Sequence, residues 1–353
     1  MILPFGYDKV AAGSGILGRR SEIDIVASTL ASGKSIAVIG APRSGKETIV
    51  SEALSRLRAR GEKSILCQMD FFNIRTKEDF FALWKKTMKE ISGEVSRNSL
   101  LPYDIDTEFV SDRQSLDLPQ IIAEEASTAI IIYIKQFQNL LTFEDETFRL
   151  EDFDRSWSKH SRVRYIMTGS YINSMKYIFE ERRLFYSMAR ALEIKPLDKR
   201  EVCEYITAAF LNVGRVIEAE EALEIYEIAS GSIWYVNQIC SFCYAMPAGY
   251  VNRKIVNQAR DCLLAIHSPR FLQTMLDLTS NQINFLRAVV DGVQKFSSSE
   301  IMEKYRLNSS ANVFRLKDAL QKKEVITFTS EDDAIVIDPL FEYWLRNCYF
   351  AQI

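Results

Sequence analysis

Apolar residues fall along this chain in two rhythms. Short, nearly unbroken runs occupy residues 36–39, 64–70, 129–134, 163–168 and 191–194, each flanked by polar or turn residues as a strand is. Between them, residues 20–30, 47–60, 77–92 and 118–126 carry apolar side chains three and four apart, the spacing of helices with one buried face. The run at 129–134, Ala-Ile-Ile-Ile-Tyr-Ile, is apolar at every position, so both its faces must be covered, as in a central parallel strand. Strands alternating with helices predict a three-layer α/β domain with a parallel five-stranded sheet. Residues 1–14 show no period and read as an arm or loop, and 93–114 as a polar excursion.

Beyond residue 199 the pattern becomes helical, at 201–211, 219–229, 233–245 and 252–265, with short polar breaks at 212–214 and 231–232. That predicts a small helical bundle. Three more helices follow at 279–291, 297–305 and 309–323, each opening on Ser or Thr, where caps are favoured. Apolar segments at 325–329 and 334–338 enclose a Ser-Glu-Asp-Asp turn. Three helices and a hairpin make a winged helix-turn-helix, whose third helix is the one that enters a DNA groove in proteins that bind DNA. The expected domains are therefore 1–197, 198–267 and 268–353.

Composition narrows the picture. The chain has 353 residues, more than one core usually serves. It is 47% hydrophobic and 26% charged with a formal net charge of −3, which argues against a polyanion binder overall. There is no basic start followed by an apolar stretch, and no apolar run of about 20 residues. A cytoplasmic protein without membrane spans is expected. Of six cysteines, Cys240 and Cys243 share one face of an apolar helix and read as core packing rather than a redox or metal pair. Only His160 and His267 are present, too few for a histidine-built metal site or a Ser-His-Asp triad.

The chemistry lies between the first strand and the next helix: Gly40, Ala41, Pro42, Arg43, Ser44, Gly45, Lys46, Glu47 and Thr48. Two glycines allow successive backbone N–H groups to converge on phosphate oxygens, and Lys46 and the helix N-terminus add positive charge. This is the Walker A pattern, except that Glu47 stands where Ser or Thr supplies the hydroxyl that holds Mg²⁺. The Thr48 hydroxyl, one residue on, is placed for the α-phosphate. After the third strand, where P-loop enzymes carry an aspartate for Mg²⁺ and a glutamate for water, stand Lys135 and Gln136. Lys135 offers no carboxylate, and Gln136 orients a water without accepting its proton. Asp70, ending the second strand, is either a residue near the phosphates or a turn aspartate. Ser170 is placed to sense a terminal phosphate; Arg190 is either a phosphate-sensing arginine or a solvent-exposed one. In the last domain Arg315, Lys317, Lys322 and Lys323 lie on the third helix, while Glu331, Asp332 and Asp333 at the hairpin tip oppose DNA, so protein packing is weighted over DNA binding there.

Taken together, Gly18-Arg19-Arg20 with Glu22 and Ile23, the phosphate loop, Phe137 and Gln138 after the third strand, Thr168-Gly169-Ser170, Ala189-Arg190 before Pro196-Leu197, and Gly231 to Tyr235 give a chain that resembles the archaeal-type ATPases. These belong to the AAA+-like, STAND branch of P-loop NTPases, and the resemblance runs from about Ile16 to Tyr349. It implies an ATPase core, a helical lid, and a winged helix that docks on both or recruits a partner. It places adenine between Ile16, Leu17, Gly18, Arg19 and the lid residues Trp234 and Tyr235, with ATP or ADP phosphates on residues 40–48. The sequence departs from it at Glu47, at Lys135 and Gln136, and at Ile233, where a proline is common. The preferred reading is a nucleotide-binding switch with weak or absent hydrolysis. The rival is an Mg²⁺-dependent ATPase in which Glu47 holds the metal and Asp70, Glu144 or Asp145 acts as base. A third is a DNA-binding regulator acting through Arg315, Lys317 and Lys322.

Overall fold

Branched apolar runs that no helix could bury on a single face become the sheet. In the computed structural model, described for residues 5–7, 9–98, 110–144, 147–329 and 331–352, residues 19–194 form one compact unit. Its elements in order are α1 (Arg20–Ala31), β1 (Ser35–Ile39), α2 (Lys46–Ala59), β2 (Ser64–Asp70), α3 (Lys77–Asn98), α4 (Asp112–Ser115), α5 (Leu118–Glu125), β3 (Ala129–Lys135), α6 (Leu150–Trp157), β4 (Val163–Gly169), α7 (Ile172–Lys176) and β5 (Ala189–Glu193). The five strands pair in the order β2-β3-β4-β1-β5, all parallel. Every residue of β1 is buried, whereas the edge strand β5 has three exposed positions. The sheet is thus the α/β architecture expected from the pattern, with its most apolar runs in the middle.

Register fixes which residues meet at the carboxyl end of the sheet, where doubly wound folds place ligands. Asp70 pairs with Lys135, Lys135 with Thr168, and Thr168 with Val38. Beside the sheet, α3, α6 and the segment after β3 enclose an aromatic cluster: Trp157 stacks on Tyr165 at 4.2 Å between ring centroids and on Trp84 at 5.5 Å, and Phe153 meets it edge-on at 5.1 Å. Helix α6, eight residues long, was not read from the sequence. Helix α3 runs to Asn98, six residues into the stretch read as irregular, and most of the rest of that stretch lies outside the described residues.

The chain before Arg19 and from Lys195 onward makes a second compact unit. It comprises α8 (Lys199–Asn212), β6 (Val216–Ile217), α9 (Ala219–Ala229), α10 (Ile233–Ala245), β7 (Tyr250–Val251), α11 (Arg253–Leu276), α12 (Ser280–Val290), α13 (Ser299–Lys304), α14 (Ser310–Lys322), β8 (Ile326–Phe328), β9 (Ala334–Val336) and α15 (Pro339–Trp344). The β8–β9 pair is antiparallel, the hairpin expected of a winged helix. One apolar core runs through the whole unit, from Ile206 and Ile239 through Leu263 and Phe271 to Phe285 and Trp344. Cys240 and Cys243 are fully buried in it. The helix expected to end at residue 265 does not: α11 continues through Pro269 to Leu276, 24 residues in all. Gly231 has φ of +76°, and a Cβ there would come within 2.8 Å of the Leu197 carbonyl oxygen, to whose residue it is hydrogen-bonded by Leu197 N–H at 3.2 Å. Only glycine fits that crossing. Among the described residues no helix is long and apolar enough to cross a membrane.

Candidate functional site

Strand β1 stops at Ile39 because Gly40 leaves the sheet, its N–H still reaching the Gly169 carbonyl at 3.4 Å. The chain then turns tightly: Ser44 N–H donates to Ala41 at 3.2 Å, Arg43 has φ of 64° and Gly45 of 93°. Gly45 is the N-cap of α2 and caps it with no side chain. The N–H groups of the first helical turn, at Lys46, Glu47 and Thr48, therefore face the loop without intrahelical acceptors, which makes an anion site. Lys46 is buried, at 9% exposure, and its ammonium donates to the carbonyls of Gly40 at 2.7 Å and Ala41 at 2.8 Å. One of its three donors remains for a ligand. Burial pushes its pKa down to about 8, against the opposing charge of Glu47. Ser44 Oγ is buried with no partner, and a Cβ on Gly40 would come within 2.7 Å of it. Arg19 holds the loop from outside, bonding the Ser44 carbonyl at 3.3 Å and Glu22 at 2.8 Å. Thr48 is half-buried, and Pro42 and Arg43 are exposed. An orphaned hydroxyl, an uncapped helix end and a desolvated cation all suit phosphate.

A divalent cation is not suited in the same way. Lys135, at the end of β3, places its ammonium 2.8 Å from Glu47 Oε1. The carboxylate proposed to hold Mg²⁺ is thus already bonded by the residue that replaces the metal-steering acid. Among the described residues no group of three or more His, Cys, Asp and Glu side chains is placed to hold a metal ion. The relocated bases fare no better. Asp70 spends a carboxylate oxygen on Phe72 N–H at 2.9 Å, so it is the turn aspartate. Glu144 is gripped by Arg182 through two bonds of 2.6 and 2.7 Å. Burial alone would raise its pKa, but the bonds from Arg182 and from Leu150 N–H hold it below the usual carboxylate value. Asp145 lies outside the described residues. Gln136, in a left-handed conformation with φ of 55°, accepts from Gln138 Nε2 at 2.9 Å. Asn139 anchors this turn to the Phe71 carbonyl at 2.9 Å.

Known proteins share the fold that carries this site. A family model described as "probable winged helix domain" matches residues 269–347. A Walker-type ATPase of Pyrococcus abyssi superposes with a TM-score of 0.72 over 97% of this chain and 99% of its own, at 16% identity. The ORC2 protein of Aeropyrum pernix, solved as ADPNP–ADP complexes, gives 0.62 over 99% and 98% at 12% identity. The ORC1 protein of the same organism, solved with DNA, gives 0.51 over 99% and 97% at 14% identity. The fold is that of these Walker-type ATPase and ORC structures. No curated protein matches the chain.

Within that P-loop ATPase fold the other expected residues separate. Ser170 directly follows Gly169, which pairs with Ile39, so it stands at the foot of the loop. Arg190 does not. It pairs with Ile36, four residues before Gly40, or about 13 Å back along the strand, and its side chain is exposed. Of its two readings, the solvent-exposed arginine is the one this position near the amino end of β5 accords with. Ile16 and Leu17 are half-buried, Leu17 against the core of the second unit, and Gly18 has φ of +63° with Leu197 and Glu201 against its Cα. Trp234 is half-buried, its ring 5.5 Å from that of His267. Tyr235 is 4% exposed, and its hydroxyl donates to Asp338 at 3.0 Å and accepts from Arg270. It serves the core of its unit and its α15 cap rather than an open face.

On α14 the basic residues are mostly engaged. Lys317 lies over the rings of Phe328 and Phe296, at 4.7 and 5.4 Å. Lys322 pairs with Asp318 at 2.8 Å, and Lys323 bonds the Asp277 carbonyl at 3.0 Å. Arg315 is exposed, and beside it Phe314 is 73% exposed.

Sequence reasoning missed the Lys135–Glu47 pair and the Arg182–Glu144 pair. Separations of 88 and 38 residues leave no periodic signal. The reciprocal oddity of an acid in the loop and a base after β3 was the available clue.

Proposed function

We infer that the chain is a nucleotide-dependent switch that binds ATP or ADP on residues 40–48 and hydrolyses it slowly or not at all. The observation that carries this reading is the uncapped start of α2 around the buried Lys46 ammonium, with a cation in place of an acid at the end of β3. Binding needs only the first feature. Hydrolysis needs an acceptor for the proton of water, and neither Lys135 nor Gln136 accepts one. General-base catalysis contributes about 10²–10⁴-fold, and metal stabilisation of the transition state several kcal/mol more. Residues 198–267 serve as the lid and 268–353 as the winged helix. Thermal unfolding of the full chain tests binding: ATP and ADP each raise the transition temperature by several degrees. Turnover stays at least about 10³ below the 1–100 s⁻¹ usual for phosphoryl transfer. Unfolding curves that superimpose with and without either nucleotide end this reading.

The winged helix favours a protein partner. On α14 an exposed aromatic ring beside an arginine is the composition of a protein contact, while the neighbouring cations are satisfied within the chain. In a gel shift at moderate salt, duplex DNA remains unbound. A retarded band that disappears on Arg315→Ala would reverse this and make the chain a DNA-binding regulator.

A further inference from the structure

The two departures at the loop are reciprocal. Where the Walker pattern has a hydroxyl, α2 carries the Glu47 carboxylate; where it has a carboxylate, β3 ends in the Lys135 ammonium. The two groups meet at 2.8 Å. In the usual arrangement a divalent cation lies between that hydroxyl and that acid and offsets phosphate charge. Here the hydroxyl is missing, the Glu47 carboxylate is bonded to an ammonium, and Asp70, across the register from Lys135, accepts from Phe72 N–H, so Mg²⁺ finds no ready donor set. Positive charge has nonetheless been retained on the same side of the loop, now as a fixed side chain.

We propose that the chain binds its nucleoside polyphosphate without a divalent cation, the Lys135 ammonium, tethered to the first turn of α2 by Glu47, donating hydrogen bonds to the phosphate where a metal would otherwise lie. Lys135 lies 5.7 Å from the centre of the Tyr133 ring, which guides its stem along β3. An ammonium has three donors. One engages Glu47, and two stay available for phosphate oxygens, so the ion pair need not break on binding. Glu47 and Lys135 cancel in charge, which leaves Lys46 and the helix N-terminus as the net attraction. Metal and protein then compete for the same phosphate oxygens: chelating Mg²⁺ away leaves the nucleotide in its preferred form.

This inference rests on nucleotide binding at the loop, and the test separates the two. Calorimetric titration of the full chain with ATP and ADP is run in EDTA and in excess Mg²⁺. Affinity in EDTA equals or exceeds that in Mg²⁺. Lys135→Met weakens binding in EDTA by about tenfold or more, a charge-assisted contact being lost, and Lys135→Arg restores it. The double change Glu47→Thr with Lys135→Asp rebuilds the metal site, and its binding strengthens at least about tenfold on adding Mg²⁺. Circular dichroism confirms that each variant is folded. Wild-type binding that requires Mg²⁺ overturns the inference while leaving nucleotide binding intact. No heat with either nucleotide in either buffer brings down the nucleotide reading itself.

Discussion

Lys46→Met abolishes stabilisation by ATP and ADP while the unliganded protein stays folded. Methionine keeps most of the buried stem and removes only the charged head, which bonds Gly40 and Ala41 and has a donor to spare. Hydrogen bonds to charged groups are worth about 1.5–3 kcal/mol each, so losing the ammonium's share of the phosphate lowers affinity by about a hundredfold. The pH dependence is a sharper check. Burial places the pKa of Lys46 at about 8 in the free protein, and a bound phosphate, being anionic, raises it. The ligand therefore selects the protonated form. Below pH 8 that form is already present, so the lysine contributes a flat affinity profile. Above pH 8 it must be purchased with a proton, and affinity falls by up to about tenfold per pH unit. Titration at pH 8 in buffers of different ionisation enthalpy registers proton uptake. Lys46→Met shows neither the slope nor the uptake.

The largest effect on stability is expected from Trp157→Ala. The indole is fully buried between Tyr165 and Trp84 with Phe153 against its edge, and removing such a ring costs about 3–5 kcal/mol. Urea unfolding followed by circular dichroism shows a lower midpoint for the transition of residues 19–194, with an unchanged slope. Trp157→Phe costs much less than its lost volume suggests. The indole N–H is buried without an acceptor, and deleting an unsatisfied donor recovers part of its desolvation penalty. If the two substitutions destabilise equally, the cluster does not pack as described.

The parts of this architecture legible in the sequence are those written in local periodicity. The run at 129–134 became β3 because apolarity on both faces leaves a chain no other stable place. The loop at 40–48 was legible because its spacing is set by backbone geometry within nine consecutive residues. Strand β5 was placed two residues late, since its edge position exposes Arg190 and Ala191 and an edge strand need not read as apolar. The same register removed Arg190 from the loop. What stayed hidden was pairing between distant segments. Glu47 with Lys135 and Glu144 with Arg182 each look like ordinary surface charges until the sheet brings them together. Glu144 and Asp70 are bonded to Arg182 and to Phe72 N–H, partners that the sequence does not display.

Helix α11 also sets what a switch built from this chain can transmit. At 1.5 Å per residue, its 24 residues make a rod about 36 Å long whose first half lies among the lid helices and whose second half leads into the winged helix. Both halves are seated in one uninterrupted core, so on the function proposed above a nucleotide-driven shift of the lid would bear on both ends of this helix. On that same proposal, a partner docked on Phe314 would sense the nucleotide through the shared core rather than through a loose tether.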